Sequence, residues 1–374
     1  MLSKELTTTV ALLLINLTVC PYLTPQYLDF SIGRYSLYSP SLTIIFKKGY
    51  GLRLLVCASP EVKPGFYLDK EGRIIAFKPM LLQVGDWYRL SLVKEGNLVK
   101  VSLTALNDTW IATRIDYLPT FYKQGIAFGK KSIYFTGTSI LIKLSLSKEV
   151  INYNADPIPN KLKDEGYFHL GDLDYYNGSL YIPVEREGYE RPAVIAIYDT
   201  DELKMVSYFY TPQDHMPWLA VDGEGLIYTS EYSPVSEILV YNVRNLKAGS
   251  YIKPVKSIKL NRTLGGVQGG AFYRGRLYLS VMDGWIYEVD LSTGTVRRLF
   301  KLPDFYEMEG MDVYELADGT LYHVLINTNL NRNLVYHLTK LTKGQRLALF
   351  TIKGEVGEIV SIIKPPWVNS TLRS

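Results

Sequence analysis

The chain contains few of the residues that mark disulfide-rich, zinc-binding or membrane-spanning proteins. Its 374 residues include only two cysteines, Cys20 and Cys57, and four histidines. Two cysteines cannot build a disulfide framework, and their spacing is not the C-x-x-C of a zinc site. A single bridge between them and two free thiols both stay open. After residue 20, no apolar run is long enough to predict a transmembrane helix.

A dominant charge of one sign is also lacking. The 41 Lys and Arg residues and 37 Asp and Glu residues give a formal net charge of +4. The basic residues are scattered, whereas nucleic-acid-binding proteins cluster them on one face. We therefore predict no nucleic-acid partner. Phosphate loops, dinucleotide fingerprints and a G-x-S-x-G nucleophile motif are absent too, so these enzyme classes are not indicated.

Aromatic residues, in contrast, are abundant. Tyrosine occurs 30 times, aromatic residues make up 13% of the chain and hydrophobic residues 47%. Disordered chains are polar and poor in aromatic residues, and tyrosine is enriched in strands. The composition therefore predicts a folded protein rich in β-structure.

The first twenty residues allow two interpretations. An apolar run from Val10 to Ile15 follows Lys4 and resembles a short signal-peptide core. However, Glu5 offsets Lys4, no small-residue cleavage site follows, and the β-branched residues 7–10 favour a strand. A signal would make the protein extracellular or cell-surface, where its Asn-x-Ser/Thr sequons would count as glycosylation sites. We expect a strand and keep the signal as the alternative.

Residues 28–110 contain six short β-type runs separated by turns. The runs are Ser41–Phe46, Gly51–Val56, Gly65–Leu68, Arg73–Phe77, Trp87–Leu92 and Leu98–Leu103. They predict a β-sandwich over residues 1–118. The segments KKGYGLRLLV, GFYLDKEGRIIAF and VGDWYRLSLVKEGNLVKVSL resemble the middle of laminin-G and concanavalin-like jelly rolls. That resemblance implies a glycan or protein partner; a purely structural sandwich stays open.

After Pro119 one sequence unit recurs five times. The copies begin at Gln124, Gly171, Pro217, Gln268 and Glu309. Each has a strand of small residues, a turn with Gly or Asn, and two further strands. Spacings of roughly 40 to 50 residues are typical of propeller blades. We therefore predict an all-β protein in which a five- or six-bladed β-propeller at 119–374 follows the sandwich. Its closing strands come from residues 347–362 or from the region just before Gln124.

Several elements of the repeats resemble known propellers. These are GDLDYYNGSLY from Gly171, PWLA from Pro217, VQGG from Val267 and EG from Glu309. They are similar to an uncharacterised propeller family related to YncE-like, SMP-30-like and phytase-like repeats, which implies the fold and no activity. Separately, QGIAF followed by YFTGTS resembles the first blade of five-bladed glutaminyl cyclases, which implies a cyclotransferase as one alternative.

Polar residues recur where each repeat would enter the central channel. The innermost strand of a propeller blade lines that channel, so residues at equivalent places converge. This rule selects nine candidate ligand-binding residues: Gln124, His169, Asp172, Asp174, His215, Trp218, Gln268, Glu309 and Asp312. No residue is assigned a catalytic role.

The candidate residues suit more than one chemistry. Oxygen ligands suit a hard cation such as calcium, for which Asp172 and Glu309 are the candidates. Histidine with carboxylate suits zinc or acid–base work. The structural alternative is that Asp172, Gln268 and Glu309 bond backbone amides and that Trp218 packs between blades.

The favoured function is a non-enzymatic surface or extracellular binding protein that recognises a glycan or protein partner. Three alternatives stay open: a metal-dependent propeller hydrolase resembling lactonases, the cyclotransferase, and a structural component of a surface or particle assembly. The sequence names neither the ligand nor the oligomeric state.

Overall fold

A computed structural model describes residues 26–32, 41–46, 49–55, 63–303, 306–316, 319–353, 359–363 and 368–373. Strands dominate these residues, which confirms the all-β prediction; helix α1 (Asn160–Asp164) and a 3₁₀ turn (Glu187–Tyr189) are short. No described helix is long and apolar enough to cross a membrane. The segment Met1 to Cys20, with its two interpretations, and Cys57 lie outside the described residues.

The chain divides into two compact units. The first consists of Met1–Arg114 together with Thr339–Ser374, and the second of Ile115–Leu338. This division differs from the predicted one in placing the C-terminal segment with the first unit.

The first unit begins with eight strands, six of which follow the six predicted runs, while the first and the sixth were not predicted. They are β1 (Gln26–Ile32), β2 (Ser41–Phe46), β3 (Tyr50–Leu55), β4 (Gly65–Lys70), β5 (Arg73–Pro79), β6 (Leu81–Leu82), β7 (Trp87–Glu95) and β8 (Leu98–Ala105), followed by β9 (Thr109–Leu118). The short β6 pairs with the first half of β9.

The second unit contains five antiparallel sheets, each made mainly of consecutive strands. The first has β10 (Gly125–Phe128), β11 (Ser132–Thr136), β12 (Leu141–Ser145) and β13 (Val150–Asn154); the second β14 (Tyr167–Leu170), β15 (Asp174–Tyr176), β16 (Ser179–Arg186), β17 (Val194–Asp199) and β18 (Met205–Tyr210); the third β19 (Leu219–Val221), β20 (Ile227–Thr229), β21 (Val235–Tyr241) and β22 (Lys256–Leu264); the fourth β23 (Val267–Tyr273), β24 (Arg276–Val281), β25 (Trp285–Asp290) and β26 (Thr295–Lys301); the fifth β27 (Glu307–Leu316), β28 (Gly319–Asn327) and β29 (Asn333–Leu341). Four of the five predicted repeat starts thus lie within two residues of the first strand of a sheet, whereas the second sheet begins at β14, four residues before Gly171.

The fifth sheet is completed by β9, which precedes the other four sheets in the chain. Of the two origins predicted for closing strands, the region before Gln124 is therefore the one used. Asp116 at the end of β9 contacts His337 of β29, Nε2 to Oδ2, at 2.8 Å. Asn333 of β29 also donates from Nδ2 to the carbonyls of Thr120 and Tyr122.

Three C-terminal strands belong to the first unit: β30 (Arg346–Lys353), β31 (Ile359–Ile363) and β32 (Val368–Arg373). They complete two five-stranded sheets, ordered β30-β8-β7-β1-β32 and β31-β2-β3-β4-β5. The strands predicted at 347–362 thus exist but extend sheets of the first unit instead of a repeat, because β8 and β2 offer them unpaired edges. In β3, β7 and β8 the buried apolar residues alternate, as in strands with one face on a core.

The first strands of the five repeats, β10, β15, β19, β23 and β27, contact one another in succession, and β27 contacts β10. We call them the inner strands. The Asp172 amide donates to the Pro217 carbonyl at 2.7 Å, between the second and third repeats. The Gly310 amide donates to the Gln124 carbonyl at 2.9 Å, so the last repeat bonds to the first in the same way.

Apolar residues fill the space between neighbouring sheets. Leu141 and Ala127 of the first sheet pack with Leu180 and Val194 of the second. The second and third sheets, the third and fourth, and the fifth and first share similar clusters. Burial of these sheet faces is the main stabilising contribution, at roughly 25 cal/mol per Å² of apolar surface.

Candidate functional site

Asp172 lies at the centre of the inner strands and is fully buried. Its Oδ1 accepts the amides of Ile126 and Leu173 at 3.2 and 3.1 Å. Its Oδ2 accepts the amides of Gly270 and Met311 at 3.1 and 3.2 Å. One carboxyl group therefore joins inner strands of the first, fourth and fifth sheets to the second.

Three of the repeats have glycine where the second has Asp172, and the structure shows why. A Cβ at Gly310 would lie 2.1 Å from Asp172 Oδ1, and one at Gly125 would lie 2.8 Å from the same atom. A Cβ at Gly270 would lie 2.2 Å from the Trp218 ring. The small residues of the inner strands thus make room for Asp172 and Trp218.

Burial raises the pKa of Asp172 well above the usual range, and the amides of Gly270, Met311 and Ile126 oppose this. All four hydrogen bonds are donated by backbone amides, and the carboxyl oxygens of Asp172 accept them. Asp172 therefore acts here as a structural residue.

Asp174 and Asp312 make equivalent bonds between neighbouring inner strands. Asp174 Oδ2 accepts the Val221 amide at 2.6 Å, and Asp312 Oδ2 accepts the Phe128 amide at 2.7 Å. Removal from water raises the pKa of Asp312 to about 7. Burial, followed by the charge of Asp312, raises the pKa of Asp174. Both residues are committed to backbone amides.

Trp218 is buried in the apolar cluster between the third and fourth sheets. Its Nε1 donates to Ser230 Oγ at 3.0 Å. A fully buried ring cannot offer its face to a ligand, so the packing interpretation of Trp218 is the one that fits its position.

The other predicted residues meet in a hydrogen-bonded chain at one end of the inner strands. His169 Nε2 lies 2.8 Å from Gln124 Oε1, and Gln124 Nε2 donates to Glu309 Oε1 at 3.4 Å. Asn327 Nδ2 donates to Glu309 Oε1 at 3.3 Å and to Glu307 Oε2 at 3.0 Å. The chain therefore connects the second, first and fifth sheets.

Gln268 extends this chain to the fourth sheet, because its Nε2 donates to Glu307 Oε1 at 3.2 Å. Burial, followed by the charge of Glu307, raises the pKa of Glu309 well above its usual range. Burial also lowers the pKa of His169 to about 4, with the charges of His215 and Lys123 adding to the effect. At neutral pH, His169 is therefore an uncharged ring.

His215 brings the third sheet to the same place. Its ring stacks on Tyr189 with 4.0 Å between centroids and lies 4.7 Å from the ring of Tyr232. Tyr189 is also 6.0 Å from the His169 ring, which joins this group to the hydrogen-bonded chain. Burial lowers the pKa of His215 to about 4.

Two glutamates lie behind the aromatic rings. Glu185 Oε1 is 3.7 Å from His215 Nε2, and Glu231 accepts the amides of His215 and Asp214 at 3.0 and 3.3 Å. Glu185 is opposite His169 in the pairing of β14 with β16, so both point to one face of that sheet. Burial raises the pKa of Glu185 to about 8 and also raises that of Glu231.

We call these side chains the polar cluster. Its members are Gln124, His169, Glu185, Tyr189, His215, Glu231, Tyr232, Gln268, Glu307, Glu309 and Asn327. All five sheets contribute, and the cluster combines acceptors, amide donors and tyrosine rings. Such a combination can hold a polar ligand by hydrogen bonds and ring contacts.

A cavity of about 400 Å³ lies beside the cluster. Phe168 and Glu187 line it, together with residues of the 155–158 segment. Phe168 lines the cavity, whereas its neighbour His169 belongs to the polar cluster. The pairing of β14 with β16 is irregular between Tyr167 and His169, and the cavity lining includes no member of the polar cluster.

A second buried network lies at the junction of the fifth and first sheets. His323 Nδ1 is 2.7 Å from His337 Nδ1, and His337 bonds Asp116. Lys148 of the first sheet also bonds Asp116. Burial alone would raise the pKa of Asp116, but the bonds and charges of His337 and Lys148 lower it.

Within the described ranges, no group of three or more His, Cys, Asp or Glu side chains is arranged to hold a metal ion. Asp172 already accepts four amides, and Glu309 accepts two side-chain amides. Asp172 and Glu309, the two predicted calcium ligands, are therefore hydrogen-bonded to other groups of the protein.

Sequence reasoning missed Glu185, Tyr189, Glu231, Tyr232, Glu307 and Asn327. Glu185 could have been found, because it pairs with His169 across a hairpin whose turn is at 177–178. Tyr189 could not, because it belongs to an irregular turn with no counterpart in the other repeats. Glu307 lies two residues before Glu309, and Asn327 Nδ2 donates to both.

The chain matches no protein-family model and no curated protein. Among solved structures it is similar to a glutaminyl cyclase of Myxococcus xanthus, with 12% identity, 63% of this chain and 97% of that chain covered, and a TM-score of 0.46. A protein of unknown function from Bacteroides caccae matches at 12% identity over 91% and 94% of the two chains, with a TM-score of 0.35. U3-55K matches at 10% identity over 83% and 98%, with a TM-score of 0.37. Similarity at this level assigns the chain neither a family nor an activity.

Proposed function

We propose that the second unit is a five-bladed β-propeller and that its polar cluster binds a glycan without covalent chemistry. The bonds of Asp172, Asp174 and Asp312 between inner strands support a ring of five sheets. For the first unit, two five-stranded sheets with alternating buried residues support a sandwich at the N-terminal end.

The observation that carries the binding proposal is the hydrogen-bonded chain from His169 to Gln268. Planar amide and carboxyl groups present donors and acceptors side by side, which suits the paired hydroxyls of a sugar ring. Burial raises the pKa of Glu309 well above its usual range, and a carboxyl group that keeps its proton can donate as well as accept.

The tyrosines support the same proposal. Tyr189 is 40% exposed, and its ring is held in place by His215. Aromatic rings with one polar end are enriched in binding surfaces because they combine apolar area with a hydrogen-bonding group. A sugar ring can therefore pack against Tyr189 while its hydroxyl groups bond to the hydrogen-bonded side chains from His169 to Gln268.

The test is a glycan array probed with the labelled protein, followed by calorimetry on the best ligand. We expect Glu307→Gln to weaken binding about tenfold, which corresponds to one good hydrogen bond to a charged group. Glu224→Gln removes the same charge from an exposed turn and should leave the affinity unchanged.

Two results would count against the proposal. If no glycan binds, or if both variants behave alike, the polar cluster is not a glycan site. If mass spectrometry finds the bound ligand chemically altered, the protein is an enzyme and the non-covalent part is wrong.

A further inference from the structure

Glu185 is the one residue of the polar cluster whose carboxyl group is fully buried and poorly satisfied. Neither of its oxygens has a hydrogen-bond partner of normal geometry. The Met216 amide lowers the pKa of Glu185 by less than burial raises it, so this pKa remains raised to about 8. Leaving such a group without a hydrogen-bond partner destabilises the folded protein. A buried, unsatisfied polar group in a folded protein calls for an explanation, and a missing ion or ligand is one.

Tyr189 gives a second, independent observation. Its φ is +54°, in the left-handed region that side chains other than glycine rarely adopt. This conformation is strained for a residue with a Cβ atom. The turn nevertheless holds the ring against His215, whose Nε2 faces Glu185. Strain of this kind is characteristic of binding sites.

Carboxyl groups outnumber cations around these residues. Burial raises the pKa of Tyr189, and Glu185, Glu307 and Glu309 add to this effect in their charged forms, so all three carboxyl groups lie near the Tyr189 hydroxyl. Glu307 and Glu309 act on Tyr232 in the same way. Of the cations acting on the glutamates, Lys123 is near Glu309, and Arg191, near Glu231, is already bonded to Asp214.

We infer that the ligand of the polar cluster carries an ammonium group, which binds beside Tyr189 and Tyr232 and draws Glu185 into its charged form. This inference rests on the proposed binding function and names the chemical class of the ligand. A cation among several carboxyl groups relieves the repulsion between those that are charged. Tyrosine rings attract ammonium ions through cation–π contacts.

Proton release follows from this arrangement. The ammonium group keeps its own protons, while the Glu185 carboxyl group loses one proton to the solvent, so up to one proton leaves per ligand bound. His215 Nε2 lies 3.7 Å from Glu185 Oε1, and the His215 side chain is partly exposed whereas that of Glu185 is buried, so His215 provides the route to solvent. The other titratable groups facing this space are His169, Tyr189, Glu231, Tyr232, Glu307 and Glu309.

The experiment compares amines with their neutral acetylated partners by titration calorimetry. The probes are glucosamine against N-acetylglucosamine, and glycine amide against N-acetylglycine amide. Titrations run at about pH 6.5, where the amines are charged and Glu185, with a pKa of about 8, is neutral. Phosphate and Tris buffers differ in ionisation enthalpy, so the two heats together report the number of protons released.

We expect at least one amine to bind tenfold more tightly than its acetylated partner and to release protons. Glu185→Gln keeps the shape of the uncharged carboxyl group, so the protein should stay folded, but the preference should fall below threefold and proton release should vanish. Glu190→Gln, on the exposed end of the same turn, is the matched control and should keep both.

The outcomes separate the two proposals. If neither amine binds more tightly than its acetylated partner, the ammonium inference is overturned, and binding of N-acetylglucosamine leaves the glycan proposal standing. A preference for glycine amide without binding of either sugar supports the ammonium group and removes the glycan. If Glu185→Gln keeps both the preference and the proton release, the role given to Glu185 is wrong. If no probe binds, both proposals fail.

Discussion

The carboxylate of Asp312 accepts the amide of Phe128 at 2.7 Å, which joins the last of the five inner strands to the first. Asp174 makes the same bond to Val221 between the second and third sheets, at 2.6 Å. The two aspartates occupy equivalent places in their repeats. The junction between the ends of the repeat array is therefore built like an internal one, and the following predictions depend on this regularity.

Asp172→Ala should destabilise the protein strongly. Its removal leaves buried amides of Ile126, Gly270 and Met311 without an acceptor, at a cost of about 3 kcal/mol or more. For a unit of this size we expect the Tm to fall by roughly 6–12 °C, measured by differential scanning calorimetry.

Asp164→Asn is the control for Asp172→Ala, because Asp164 is exposed at the end of α1. It should change the Tm by less than about 1 °C. A Tm of Asp172→Ala equal to that of the control would show that Asp172 does not hold the inner strands together.

Gly270→Ala should also be destabilising, because the new methyl group would lie 2.2 Å from the Trp218 ring. Overpacking of a core commonly costs about 1–3 kcal/mol. Gly223→Ala is the matched substitution, since nothing lies within 4 Å of a Cβ there. Urea unfolding of both variants checks the prediction, and equal midpoints would contradict the packing described for Trp218.

Asp116→Asn should lower the free energy of unfolding at neutral pH and lower it less in acid. The depressed pKa of Asp116 means that its contribution is present above the ordinary aspartate value and is lost as pH falls through the folded value. We expect a loss of about 2 kcal/mol at pH 7 from bonds to His337 and Lys148. Unfolding curves at pH 7 and about pH 3 should show the difference between variant and parent shrinking; a constant difference would contradict this.

His169 should make the protein less stable as the pH falls below neutral. Its folded pKa of about 4 lies below the unfolded value of about 6.5, so the unfolded chain binds a proton first and stability is lost between those values. His169→Gln should therefore flatten the pH dependence by about 1–2 kcal/mol over this interval. An unchanged slope, or a histidine NMR titration near pH 6.5, would show that the ring is charged more easily than its burial implies.

The five repeats could be predicted because each carries its own local pattern. Small inner-strand residues, glycine turns and apolar alternation place four of the five sheets within two residues of their predicted starts. The position of β30 could not be predicted, because the alternation of residues 346–353 suits an edge of any sheet. Its partner β8 is over 200 positions earlier in the chain, and nothing local records that pairing.

The candidate site was predicted in part. Gln124, His169, His215, Gln268 and Glu309 belong to the polar cluster, whereas Asp172, Asp174, Trp218 and Asp312 lie among the inner strands. In the sequence, Gly171-Asp172 and Glu309-Gly310 each combine a glycine with an acidic residue at the start of a repeat. Only the register of the strands decides that Asp172 faces four amides and Glu309 faces Gln124 and Asn327.

Hydrogen–deuterium exchange with mass spectrometry, with and without the ligand identified on the array, tests the central claim most directly. Binding at the polar cluster should slow exchange in the segments 167–170, 185–190, 213–216 and 231–233, which surround it on two sheets. Segments of the same sheets that lie away from the cluster, such as 199–206, should not change. Protection confined to those other segments, or no protection at saturating ligand, would contradict the claim that this end of the five inner strands is the binding site.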